Sequence, residues 1–309
     1  MSLSRALVVA GALLAGAVPA CKSGRLSPDE PDAGTVAVTT VGRADTLEIG
    51  AWNLKNFPCG NESASPACRA SADQTPALLA QLMGALDVDL FAVEEVDDTA
   101  ALQATVDALP GHASVVSSHT YGDGTYQKVG FVYDASVLAA GAGALDFELD
   151  ADFPRPALEV PFTWSGPGSA LSFTAIAVHL KAGETVDDEA RRVGSIAALE
   201  SRVRALVDGG TENVVVLGDF NEPLDGPGAQ AFAPFADARY AIRTRAIVSA
   251  GATSFIGGAA VIDHVITTAA LDAAVGASDA ILPRLDVELE GYRDNMSDHL
   301  PVVLPVLHP

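Results

Sequence analysis

The sequence predicts an α/β fold, a single domain of about 260 residues in which strands and helices are mixed from end to end. Three observations lead there. Short apolar runs of strand length alternate with stretches of helical periodicity from Thr46 onward. No repeat of fixed short period and no low-complexity tract interrupts them. Hydrophobic residues make up 49% and charged residues 19% of the 309, a balance that can bury a core rather than stay solvated.

The first segment is not part of that domain. Arg5 precedes an apolar stretch from Ala6 to Ala17, too short to span a bilayer as a helix, which ends in Val18-Pro19-Ala20-Cys21. Small residues before a cysteine resemble a bacterial lipoprotein signal, so residues 1–20 are expected to be removed on export and Cys21 to carry lipid. The chain would then lie in the cell envelope or be secreted. Residues 22–45 are rich in Pro, Asp, Gly, Ser and Thr and read as a flexible tether, leaving 46–309 as the folded domain. Cys59 and Cys68 flank Gly-Asn-Glu-Ser-Ala-Ser-Pro-Ala, and in an exported protein a short disulfide-closed loop is expected there.

Within the domain, the segments TLEIGAWN, DLFAVEEV, QKVGFVYD, LSFTAIAVHL, NVVVLGDF, AVIDHVIT and LPVVLPV read as strands. In TPALLAQLMGALD, Leu78, Leu79, Leu82, Met83 and Leu86 fall on one helical face. DDTAALQATVDALPG gives a second helix, stopped by Pro110-Gly111. The third, DDEARRVGSIAALESRVRALVDGG, turns Val193, Ile196, Val203 and Val207 inward and stops at Gly209-Gly210.

The net charge of -22, from 18 Lys+Arg against 40 Asp+Glu, argues against tight metal-free binding to nucleic acid. A bound cation would change that balance. The polar residues within the strand pattern carry more information than the total charge. Asn53 follows one apolar run, Glu94 and Glu95 end another, and His179 closes AIAVHL. Asp219 and Asn221 follow VVVLG, Asp263 interrupts the apolar VIDHVI, and Asp298-His299 precede the last strand. Taken singly, most suit a turn or a solvated strand exit. Asp263 is the exception, because an unpaired buried carboxylate is costly; His299 and His264 are its candidate partners.

WNLKNF, FAVEEV, VHLK, LGDFNEP, IDH and SDHLPV, in that order, resemble the signature blocks of the endonuclease/exonuclease/phosphatase superfamily over Thr46 to Val306. The resemblance implies a four-layer α/β/β/α sandwich of two mixed sheets and metal-assisted hydrolysis of a phosphate ester. It makes Glu95 the main carboxylate for Mg2+, with Mn2+ or Ca2+ as alternatives, helped by Asn53 and by Asp298. His299 oriented by Asp263 becomes the general base, and Asp219 and Asn221 position water and the phosphoryl oxygen. His179 matches a second histidine of the deoxyribonuclease-like members, which argues against abasic-site repair. The family usually has Gln-Glu where this chain has Glu94-Glu95, so Glu94 is able to share the ion. Lys128 is a candidate substrate contact as much as a surface residue. The expected partner is a phosphate ester, nucleic acid or a smaller one, with the membrane reached through the lipid and the protein a monomer.

Overall fold

The computed structural model describes residues 24–25, 36–58, 74–122, 124–167, 170–258, 260–276 and 278–307. The signal segment 1–20, Cys21, and the Cys59 and Cys68 pair lie outside the described residues. Among those described, no helix is long and apolar enough to cross a membrane.

Two mixed sheets form the centre. The first contains β1 (Thr46–Phe57), β2 (Leu90–Val96), β3 (His112–Val116) and β4 (Lys128–Asp134). The second contains β5 (Leu138–Ala140), β6 (Ala144–Asp146), β7 (Ala157–Trp164), β8 (Leu171–His179), β9 (Val214–Asp219), β10 (Tyr240–Ile242) and β11 (Asp263–Thr268). Strand β12 (Val302–Leu307) returns to the first sheet beside β1, giving the order β12-β1-β2-β4-β3. The second sheet runs β10-β11-β9-β8-β7-β5, with β6 also on β7. All seven strands read from the sequence are present.

Alternation along the strands makes the layers. Leu47, Ile49 and Ala51 of β1 and Leu90 and Ala92 of β2 meet Ala175, Ala177, Val215, Leu217 and Val265 between the sheets. The opposite face of the first sheet, with Phe91 and Val93, packs on α1 (Pro76–Leu86) and α2 (Thr99–Asp107). The opposite face of the second, with Ile176, Val178, Val214 and Val216, packs on α3 (Val186–Asp208) through Ile196, Leu199 and Val203. The result is the α/β/β/α sandwich the resemblance implied.

Local chemistry sets the helix starts. Thr75 Oγ1 accepts from Leu78 N at 3.1 Å, and Asp98 caps α2 through Ala100 N and Ala101 N. Thr185 and Asp188 form a reciprocal capping box at α3.

Two expectations are corrected. Val193 is exposed on α3, because the buried stripe runs through Arg192, Ser195, Ile196, Leu199, Glu200 and Val203, which turns Val193 outward; Val207 is only half-buried. Residues 36–45, expected within a flexible tether, lie against the domain instead. Val36, Val38 and Val41 pack on the α1/α2 core, Val41 N donates to Leu86 O, and Thr39 bonds Glu288.

Candidate active site

The topology brings the sequence-predicted polar residues to one edge of the sandwich. β1 and β2 are parallel and end there with Asn53 opposite Glu94; β8 and β9 are parallel and end with His179 opposite Asp219. β11 and β12 run antiparallel to their neighbours, so they begin at the same edge. Asp263, the first residue of β11, therefore pairs with Asp219, and His299 sits just before β12.

A bulge decides how Glu94 and Glu95 are used. Adjacent strand residues ordinarily point to opposite faces. The ladder with β4 shifts register between Val93 and Val96, and Glu95 has φ 57°, a left-handed conformation uncommon for a residue with a side chain. Lys55 and Asn56 (φ 54° and 53°) and Asn221 (φ 51°) share that conformation. Backbone strain of this kind concentrates where side chains are aimed for function. Asn56 N donates to Glu95 Oε2 at 3.0 Å and holds the re-aimed carboxylate.

The centre is a buried cluster. His299 Nδ1 lies 3.0 and 3.1 Å from the two oxygens of Asp263, while its Nε2 faces Asp219 Oδ2 at 3.9 Å. His264, the other candidate partner of Asp263, instead bonds Thr244 Oγ1 at 2.8 Å and Glu222 O at 2.9 Å. Asn53 Nδ2 bridges the carboxylates, 3.3 Å from Glu95 Oε1 and 2.9 Å from Asp219 Oδ2, while Asn53 Oδ1 accepts from Lys55 N. His179 Nε2 is 3.6 Å from each of the same two carboxylate oxygens. Asn221 adjoins them: its N–H donates to Asp219 Oδ1 at 2.8 Å and its amide nitrogen to Leu180 O at 3.3 Å.

Gly218 explains the tight approach of strands beneath the site. At φ 135° a Cβ there would come 2.1 Å from Val178 O and 2.9 Å from Glu94 Oε1.

Two of the sequence-predicted residues stay at the margin. Lys128 is buried, its ammonium held by His119 O and placed 4.5 Å over the Tyr126 ring, so it is not a surface residue. Asp298 is half-buried and lies outside the Asp219, Asp263 and His299 group whose ligand atoms lie within 4.8 Å of one another. Its charge nevertheless contributes to the field on His299.

Sequence reasoning missed the residues that fix these groups. Ser254 Oγ donates to Asp263 Oδ2 at 2.5 Å, and Ser297 Oγ donates to Asn53 O at 2.6 Å while accepting from His299 N. Tyr292 OH donates to His299 O and accepts from Trp52 Nε1 at 3.0 Å. Arg155 donates to the carbonyls of His179 and Leu180 and to Gln127. Arg192 pairs with Glu222 in a buried ion pair and bonds Lys181 O and Gly183 O, tying α3 to the loops beside His179 and Asn221. Ser297, Trp52 and Glu222 stood in quoted blocks without being singled out; Ser254, Tyr292, Arg155 and Arg192 carry no local pattern that marks this role.

Charge follows from burial and neighbours. Burial alone would lower His299, but the charge and hydrogen bond of Asp263, with Asp219 and Asp298, outweigh it and raise the imidazole to about 10. Burial and the Asp263 charge push Asp219 up to about 7, opposed by His299 and Asn53. Burial, reinforced by Arg155 and His299, drives His179 well below the usual imidazole range. The cation-free protein thus holds His299 as imidazolium and His179 as neutral imidazole at neutral pH. Asp219, Asp263 and His299 are the group whose ligand atoms lie within 4.8 Å of one another, and Glu95 adjoins it through the bridging Asn53 amide, so carboxylate oxygens of the kind a hard divalent cation takes line the centre.

A direct check is histidine NMR of the chelated protein. His299 should keep its proton beyond pH 8, and in Asp263→Asn it should titrate roughly one to two pH units lower. Equal titration in the two proteins would remove Asp263 as the source of the raised affinity for the proton.

Solved structures share this architecture. An endonuclease/exonuclease/phosphatase family protein from Bacteroides thetaiotaomicron is 15% identical with TM-score 0.60, over 85% of this chain and 98% of its own. The human Nocturnin catalytic domain with bound sulfate is 14% identical with TM-score 0.58, covering 86% and 95%. A mannosyl-6-phosphatase of Bacteroides thetaiotaomicron is 15% identical with TM-score 0.58, covering 84% and 99%. At these identities the likeness concerns the fold. No curated protein matches the sequence. The Endonuclease/Exonuclease/phosphatase family itself matches residues 50–299, most of the chain and every residue of the cluster, and the chain belongs to that family of phosphoester hydrolases.

Proposed function

We propose that the chain hydrolyses phosphodiesters with the help of a divalent cation, Mg2+ or alternatively Mn2+ or Ca2+, in the manner of a nuclease. The observation that carries this reading is the buried Asp263–His299 pair, whose second ring nitrogen faces Asp219 beside Glu95. Glu95 and Asp219 would hold the ion, with Asn53 beside them. Bound there, it would stabilise negative charge on a phosphoryl oxygen and offset the carboxylate charge around His299.

Each residue then has a defined task. Asp263 fixes the imidazole through Nδ1 and leaves Nε2 for the reacting water. The field of Asp219 and Asp263 keeps a proton on His299 in the cation-free protein, so offsetting that field frees Nε2 to accept one. As water oxygen bonds to phosphorus, its proton passes to Nε2 and the ester P–O bond breaks. Asp219 and Asn221 position the water and the phosphoryl oxygen. His179, held neutral, faces the same centre and donates a hydrogen bond from Nε2 toward the leaving oxygen; that oxygen takes its proton from solvent water and leaves as an alcohol, while His299 returns to solvent the proton it took from the attacking water.

A second reading, hydrolysis of a small phosphate ester or a phospholipid headgroup, is favoured by the net charge of -22, which repels a polyanion more than a single phosphate. The N-terminal pattern ending at Cys21 supports export with lipid attachment. Cys21→Ser should then move the protein from the membrane fraction to the soluble one; unchanged fractionation would remove the anchor.

Turnover of plasmid DNA, RNA, sphingomyelin and bis-p-nitrophenyl phosphate, with and without chelator, tests the activity. Cation-dependent turnover is expected, and His299→Ala should lose about 10²–10⁴-fold in kcat/KM while staying folded. Small-ester turnover with none on nucleic acid would replace the nuclease reading by the second. Full activity in His299→Ala, or turnover unaffected by chelator, would overturn the mechanism.

A further inference from the structure

Glu94 is a carboxylate that finds no partner among the described residues. Both of its carboxyl oxygens are buried without a hydrogen bond among the described residues. Its side chain has the same strand parity as Leu90 and Ala92, so it enters the layer between the sheets. There it lies against Gly218, the residue before Asp219. The charged groups that act on it are Asp263, Asp219 and Glu95, all of its own sign. Ionised, Glu94 is an unpaired buried charge; protonated, it is a hydroxyl with no acceptor. Either form is costly in the cation-free protein, and no described side chain relieves it.

A cation within the cluster would relieve both. We infer that Glu94 is a ligand of the divalent-cation centre, reaching it from between the sheets, so that Glu94, Glu95 and Asp219 present three carboxylates to the ion. This rests on the metal-dependent reading above and adds to it. The amide usual at this position in the family offers oxygen without charge. A carboxylate there adds one negative charge to the ligand set, and affinity for hard cations rises with that charge. The centre of this chain is therefore expected to hold its ion more tightly than an otherwise identical site carrying the amide would.

The test is calorimetric titration of Mn2+ and Mg2+ into chelator-stripped wild type and Glu94→Gln, with circular dichroism to establish folding. Glu94→Gln keeps the shape and should weaken binding by about tenfold or more, about 1.4 kcal/mol. Its melting temperature should respond differently in the two states. Stripped Glu94→Gln should melt above stripped wild type, because like-charge crowding is relieved, and the rise on adding Mn2+ should be smaller. Glu94→Met, which removes the oxygens as well, provides a second variant and should weaken binding at least as much. Equal affinity and an equal Mn2+-induced rise in wild type and Glu94→Gln would overturn the assignment of Glu94 alone. Absence of Mn2+ and Mg2+ binding in wild type would overturn the metal-dependent reading and this one with it.

Discussion

Four carboxylates, Glu94, Glu95, Asp219 and Asp263, share one end of a buried layer, and against their charge stands the His299 imidazolium, with neutral donors from Asn53, Asn56, Asn221 and Ser254. That shortage of positive charge is the constraint on which the rest of the site depends. It places the proton on His299, raises Asp219, and leaves Glu94 without a partner among the described residues. A cation held there, as proposed, would offset the cluster in a chain whose overall charge would otherwise repel phosphate. The hydrophobic sandwich around it, by excluding water, keeps these interactions strong.

The fold satisfies this constraint through strand direction. Because β1, β2, β8 and β9 end where β11 and the approach to β12 begin, residues from six separated segments meet without long loops. Serines and a tyrosine then lock the groups: Ser254 on Asp263, Ser297 between Asn53 and His299, Tyr292 on the His299 carbonyl. Arg192 performs the same task from outside, fastening α3 to the Glu222 loop beside Asn221. Removing one partner of such a buried ion pair strands the other charge, so the loop's geometry and the helix's packing depend on each other.

Much of this was legible in the sequence. The central strands announce themselves because they are apolar on both faces, and the helices because Leu79, Leu82 and Leu86 or Ile196, Leu199 and Val203 repeat at helical spacing. Other strands, β3 and β7 among them, were not legible. β3 is half-buried along its whole length, and β7 contains Pro161, which weakens the strand pattern of a short segment. The cluster was legible as a set because chemically competent residues sat at strand ends. What stayed hidden was orientation: nothing in Glu94-Glu95 signals the bulge that sends Glu94 between the sheets and Glu95 toward Asn53. Which histidine serves Asp263 was equally open until tertiary packing gave His264 to Thr244 and Glu222. The tether near Val36, Val38 and Val41 failed as a reading because three isolated valines show no periodicity, yet each finds the α1/α2 core.

If the carboxylate cluster is a cation site, crystals grown with Mn2+ and measured for anomalous scattering will show it most directly. One strong anomalous peak is expected among Glu94, Glu95 and Asp219, within bonding distance of carboxylate oxygens. A featureless map at that position, or Mn2+ bound only on the acidic surface elsewhere, would contradict it.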